Sequence, residues 1–167
     1  MTSLTPAPSG SSRPPRTFTT GTVTRALRGV SVVITVAGAV ALVIRFASLP
    51  AIVPVHFNFS GAVDGYGPSW SVCVLAGAWV ALMALLVVLS LKPRLFNYPI
   101  PLTEANAQRV YREGERMMVW VALAMAVAFA GIALAYFDVD GIAITMPAII
   151  CMLAATVVGI VRMMRIG

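Results

Sequence analysis

Four apolar runs of about twenty residues each, over 26–48, 69–91, 117–137 and 142–161, dominate this sequence. Twenty helical residues rise about 30 Å, the thickness of a bilayer's hydrocarbon core. In lipid every backbone amide and carbonyl needs an internal partner, so each run must cross as a helix. A small barrel would show alternating strands of about ten residues, and the unbroken run Val72–Leu91 excludes it. The expected fold is an all-α integral membrane protein, a four-helix transmembrane bundle with an extended outer loop between helices 1 and 2.

Composition agrees. Of 167 residues, 59% are hydrophobic and 11% charged, against roughly a quarter charged in soluble domains. Mean hydropathy is +0.91. An ordinary soluble enzyme, a disordered chain and a disulfide-stapled secreted domain are excluded. The net charge of +6 comes from basic residues flanking the spans, which sets topology and gives no nucleic-acid patch. Arg13, Arg16, Arg25 and Arg28 lie around the start of the first run. Lys92, Arg94, Arg109, Arg112 and Arg116 separate the second from the third, and Arg162 and Arg165 come after the fourth. The loops 49–68 and 138–141 carry no Lys or Arg, only Asp64, Asp138 and Asp140. Positive charge stays inside, so both termini are expected in the cytoplasm of a multi-pass protein of a bacterial plasma membrane.

Residues 1–22 are rich in Ser, Thr and Pro and read as a flexible cytoplasmic tail ahead of a membrane domain at 23–167. The first run is too long for a signal h-region and is expected to stay as an anchor. In the inner connection, Thr103 is expected to N-cap a helix over about 104–116 that feeds into the third span. That helix either lies along the membrane surface or extends the span into solvent. Ala122, Ala126 and Ala130, Gly77 and Ala81, and Ala155 and Gly159 form small-residue faces for close helix packing, with self-association as their alternative use. Trp79 reads as packing, Trp70, Tyr136 and Trp120 as interfacial anchors, and Pro147 as a bend. Cys73 and Cys151 read as unpaired packing residues.

The outer loop holds the chemistry. Pro50 and Pro54 end the helix, and Val55–Ser60 alternates, placing Val55, Phe57 and Phe59 on one face and His56, Asn58 and Ser60 on the other. Ser60-Gly61 and Asp64-Gly65 are turn dipeptides that fold the segment back. His56 is the only histidine. It has three readings: a structural cap with Asn58, a titrating or catalytic group, or a metal ligand with Asp64 and Asp138 or Asp140. Arg45 lies one turn inside the first span, either snorkelling to the interface or paired with Asp64, Asp138 or Asp140. The candidate ligand- or partner-binding residues are therefore His56, Asn58, Gly61, Asp64, Tyr66 and Arg45. No catalytic constellation, cofactor signature or metal motif is present, and no carboxylate lies within a span, which argues against proton-coupled transport.

Leu49-Pro50, Pro54, His56-Phe57-Asn58, Gly61 and Asp64-Gly65-Tyr66-Gly67 resemble the hallmark loop of a bacterial membrane domain of unknown function. That domain opens the SdpI family, best known for an immunity protein against a secreted killing peptide. The stretch Phe96-Asn97 to Arg116 is similar to the family's segment C-terminal to that domain. The resemblance implies a non-enzymatic protein that binds a peptide, lipid or membrane-protein partner through its outer loop, conferring immunity or reporting occupancy inward through 92–116. A structural accessory subunit is the alternative, and a His- or metal-dependent membrane enzyme a more distant one.

Overall fold

The computed structural model describes residues 13–58 and 60–167. Four helices long and apolar enough to span a membrane form one bundle: α1 (Thr22–Phe46), α2 (Ser71–Leu91), α3 (Ala107–Leu134) and α4 (Ile142–Met164). Two strands, β1 (Ile52–Phe57) and β2 (Val63–Pro68), pair antiparallel between α1 and α2. The hairpin lies at one end of the bundle. Gly21 at the start of α1 and Arg162 near the end of α4 line one cavity at the other, so α1 begins and α4 ends on that side.

α3 is the central helix. It packs against α1, α2 and α4, whereas α2 and α4 barely touch and leave a cleft between them. Its buried stripe explains the position: Ala107, Tyr111, Glu115, Ala122, Ala126 and Ala133 recur at helical spacing. On α4 the buried residues are Thr145, Ala148, Gly159 and Met163. Small side chains let the α3 and α4 backbones approach, which is how helices associate in lipid. At Gly141 an added Cβ would overlap the carbonyl oxygen of Gly131, and at Gly159 it would overlap the side chain of Met117. Ala122, Ala126 and Gly159 are buried, as packing faces require. Gly77 and Ala81 are not: both are exposed, and a Cβ on Gly77 would meet open space. That face of α2 is turned outward because Val72, Ala76, Trp79 and Met83 take the buried side.

Trp79 fills the α1–α2–α3 core. It is fully buried, stacks on Phe129 with ring centres 5.6 Å apart, and lies against Gly38 where a methyl group would collide with it. Tyr136 is buried rather than interfacial, because its hydroxyl donates to the Pro54 carbonyl at 3.0 Å. Trp70 and Trp120 are exposed, as anchors require. Cys73 and Cys151 are free and exposed, so the expected packing role does not hold. α4 continues through Pro147.

The expected helix 104–116 and the third span are one continuous helix, which starts at Ala107 rather than Glu104. Thr103 caps the turn that leads into it: Thr103 Oγ1 accepts from Asn106 N–H, Asn106 Oδ1 accepts from Thr103 N–H, and the Thr103 carbonyl accepts from Ala107 N–H, the reciprocal pattern of a capping box. This part of α3 extends the span, with Arg109, Arg112 and Arg116 exposed on one side and Val110, Tyr111, Gly114 and Glu115 buried on the other. Residues 13–21, the described part of the expected tail, run extended along it with Pro14, Arg16, Phe18 and Thr20 turned inward. Arg13 donates to the carbonyls of Arg94 and Phe96 at 2.6 Å. Tyr111 Oη donates to the Pro14 carbonyl at 3.1 Å and Thr17 N–H to Gln108 Oε1 at 2.9 Å. The remainder of the tail, 1–12, lies outside the described residues.

Candidate functional site

The hairpin is built by its turn. Asn58 Oδ1 accepts from Ser60 N–H, Ser60 Oγ and Ala62 N–H at 3.0, 2.7 and 3.0 Å. Gly61 completes the reversal at φ +83°, a conformation that disfavours side chains, and its α-carbon presses on Ile142 of α4. The strand covers Ile52–Phe57 rather than Val55–Ser60, because Asn58 is consumed by the turn. Phe59, assigned to its apolar face from the sequence, lies outside the described residues. Register shifts flank His56, so the strict alternation expected there is broken and the bulge re-aims the imidazole. Gly65 faces it; a Cβ there would stand 2.9 Å from His56 Cβ.

His56 Nδ1 stands 2.5 Å from Asp64 Oδ1, and both side chains are substantially exposed. A carboxylate only accepts, so Nδ1 carries the proton and Nε2 is left out of this bond. Beneath the hairpin lies a cavity of about 680 Å³, partly open and mostly apolar. Its roof is Val55 to Asn58 and Gly61; its walls come from α2 (Val74, Ala78), α3 (Gly131, Ile132) and α4 (Thr145, Ile149). It occupies the cleft left because α4 leans on α3 and not on α2.

The six residues singled out from sequence separate into three groups. His56, Asn58 and Gly61 line the cavity, and Asp64 holds His56 without lining it. Tyr66 is exposed on β2, away from the cavity. Arg45 is also away from it: Nε donates to the Tyr136 carbonyl at 2.8 Å, and a terminal nitrogen stands 3.4 Å from Asp138 Oδ2. Arg45 therefore clamps α1 to the α3–α4 corner; of its two readings the ion pair is present, and the partner is Asp138. Asp140 lines the cavity while one oxygen accepts from Ile142 N–H at 2.9 Å, capping α4. With Asp138 on Arg45 and Asp140 on a helix end, His56 keeps only Asp64, and among the described residues no group of three or more metal-ligating side chains converges.

Sequence reasoning missed the charge cluster at the opposite end. The Glu115 side chain is 2% exposed, with Arg28 at 2.6 Å, Arg16 at 3.2 Å and the Thr20 hydroxyl donating at 2.7 Å. The available signal was position: Glu115 falls on the same helical stripe as Tyr111 and Ala122.

These features define a multi-pass membrane protein with a hairpin-roofed cleft. Residues 33–80 match a family described as "Domain of unknown function (DUF1648)", a segment running from within α1 through the hairpin into α2. No curated protein and no solved structure matches the chain.

Proposed function

We propose that the chain is a non-enzymatic protein of a bacterial plasma membrane that binds an amphipathic, positively charged envelope ligand in the cavity beneath the hairpin. The reading places both termini in the cytoplasm and the hairpin outside. The observation that carries it is the cavity: about 680 Å³ of mostly apolar wall under a polar roof, in a cleft between two spans that barely touch. Pockets of several hundred Å³ with few polar groups are where small ligands bind. An apolar body would enter between α2 and α4 while its head meets the hairpin.

The head's charge is set by the loops. Asp64, Asp138 and Asp140 face one basic residue, Arg45, which Asp138 already engages. That leaves Asp140, which lines the cavity, to receive a cation. The likeness of the loop to the SdpI family makes a secreted peptide the first natural ligand to examine. Because α3 contributes Gly131 and Ile132 to the cavity and Glu115 to the contact with the extended segment 13–21, the strap, one helix joins the binding site to the residues that would report it inward.

A photoreactive dodecylamine, offered to the protein in phosphatidylcholine nanodiscs, is expected to label the walls of the cavity. Ala78→Trp fills the site and should lower labelling about tenfold or more, the equivalent of ~1.4 kcal/mol. Asp140→Asn keeps the helix cap but removes the charge, and should reduce labelling by the amine while sparing a photoreactive fatty alcohol. Undiminished labelling of Ala78→Trp, or preference for a fatty acid over the amine, would discard this function.

A further inference from the structure

We propose that the end of the bundle where α1 begins and α4 ends holds a second site, for the phosphate headgroup of an anionic phospholipid. A cavity of about 410 Å³ lies between the start of α1, the middle of α3 and the end of α4, bounded by Thr22, Thr24, Arg116, Trp120 and Arg162 among others. A neighbouring one of about 270 Å³ shares Gly21, Thr24 and Arg116 and adds Thr19, Arg112 and Glu115, whose carboxylate is already paired with Arg16 and Arg28.

Three features of this place converge on phosphate. Helix α1 starts at Gly21 with no side-chain cap among the described residues, so its first amides and the positive end of its dipole are open to the cavity. Arg116 and Arg162 come from different helices and share a single carboxylate, Glu113, at 2.6 and 3.8 Å, so the group keeps surplus positive charge. Arg112 lies over the Phe18 ring at 5.2 Å and has no carboxylate partner among the described residues. A planar guanidinium pair facing free amides is the chemistry that recognises a phosphate monoanion.

The wall of the cavity selects a lipid over a free ion. Leu27 and Val119 are apolar, and Trp120 is 51% exposed one helical turn beyond Arg116, at the depth where indoles mark the edge of the hydrocarbon. A phosphodiester can rest on the arginines while its acyl chains continue along that wall.

Native mass spectrometry of the full chain, released from mixed phosphatidylglycerol and phosphatidylcholine nanodiscs, tests the site. The protein should retain phosphatidylglycerol preferentially. Arg116→Gln with Arg162→Gln should weaken retention about thirtyfold, from ~1 kcal/mol per arginine near an anionic surface. Arg165→Gln, outside the cavity, should leave it unchanged. If the double variant does not fold, the wild type still decides: retention should collapse as salt rises from about 0.1 M to 1 M, where the screening length falls from about 10 Å to about 3 Å. Equal retention of both lipids, salt-independent retention or an equal loss in Arg165→Gln overturns the proposal. Displacement of the lipid by millimolar inorganic phosphate would make the occupant a free anion and overturn the lipid assignment.

Discussion

Glu115→Gln isolates one buried charge at nearly constant shape. In the native protein the Glu115 carboxylate, 2% exposed, is shared between Arg28 at 13% and Arg16 at 23% exposure. Nε of each arginine is already buried without a partner. Glutamine leaves two guanidiniums facing each other with no counter-charge. Breaking a buried pair by removing one partner costs about 3–5 kcal/mol, because the remaining charge stays desolvated. Most of that cost falls on Arg28, which the helix holds in place; Arg16 can swing into water, so its share is that of a surface pair, about 0–1 kcal/mol. The strap should therefore release before the bundle unfolds. Trypsin cleavage at Arg16–Thr17, a bond in the docked segment, reports the open population when opening is fast. Cleavage should quicken at least about tenfold in Glu115→Gln, and thermal stability in detergent should fall. Adding Arg28→Gln should recover part of the loss, since the one guanidinium that cannot swing into water is then gone and only Arg16 is left to hydrate, and the two substitutions should couple by about 1–3 kcal/mol. Strictly additive effects, or a single variant cleaved at the wild-type rate, would refute the idea that this carboxylate ties strap to bundle.

Two further outcomes test packing and the inner loop. Gly141→Ala drives a Cβ into the Gly131 carbonyl oxygen, a backbone neighbour that cannot yield, and should destabilise the detergent-solubilised protein by about 1–3 kcal/mol or more. Gly77→Ala, facing open space, should be neutral or stabilising by roughly 0.5–1 kcal/mol in the same unfolding assay. Tyr98 donates to the Pro93 carbonyl at 2.7 Å, and its phenol is held well above the usual tyrosine range by burial first and by neighbouring Tyr111 second, with Arg13 opposing. An unfolded phenol ionises near pH 10, so this contribution to stability is intact below about pH 10 and is lost as pH rises further. Tyr98→Phe should flatten that alkaline limb of the pH–stability curve, and near neutrality it should cost only the lost hydrogen bond to Pro93, about 0.5–1.5 kcal/mol.

The helices were legible because a bilayer leaves the backbone no other choice, and their lengths match its thickness. The reversal was legible through Ser60-Gly61, whereas Asp64-Gly65, also read as a turn, lies within β2, and Asn58, read as part of the strand, holds the turn instead. The hairpin's register was not legible, because the bulge at His56 depends on Gly65 across the ladder, a partner that alternation along one strand does not reveal. The cavity was hidden for a different reason. It exists because α4 packs on α3 alone, and that preference resides in Gly131, Gly141 and Gly159, whose small size reads the same on a packing face as on the exposed Gly77. The Glu115 cluster was missed because a carboxylate among arginines looks like a solvated helix face. Only the strap, whose alternate residues Pro14, Arg16, Phe18 and Thr20 turn inward, makes it a buried one.

Both proposed sites require the hairpin and the strap to lie on opposite sides of the membrane, with the hairpin outside. Paired thiol labelling measures this directly. Ser60 and Thr17 are both exposed, one in the hairpin turn and one in the strap. Single Ser60→Cys and Thr17→Cys variants, made with Cys73 and Cys151 changed to Ala, are treated with a membrane-impermeant maleimide in intact bacteria and after lysis. Labelling of Ser60→Cys in intact cells, with Thr17→Cys reached only after lysis, is the expected result. The reverse pattern, or both sites reached from the same side, would contradict it.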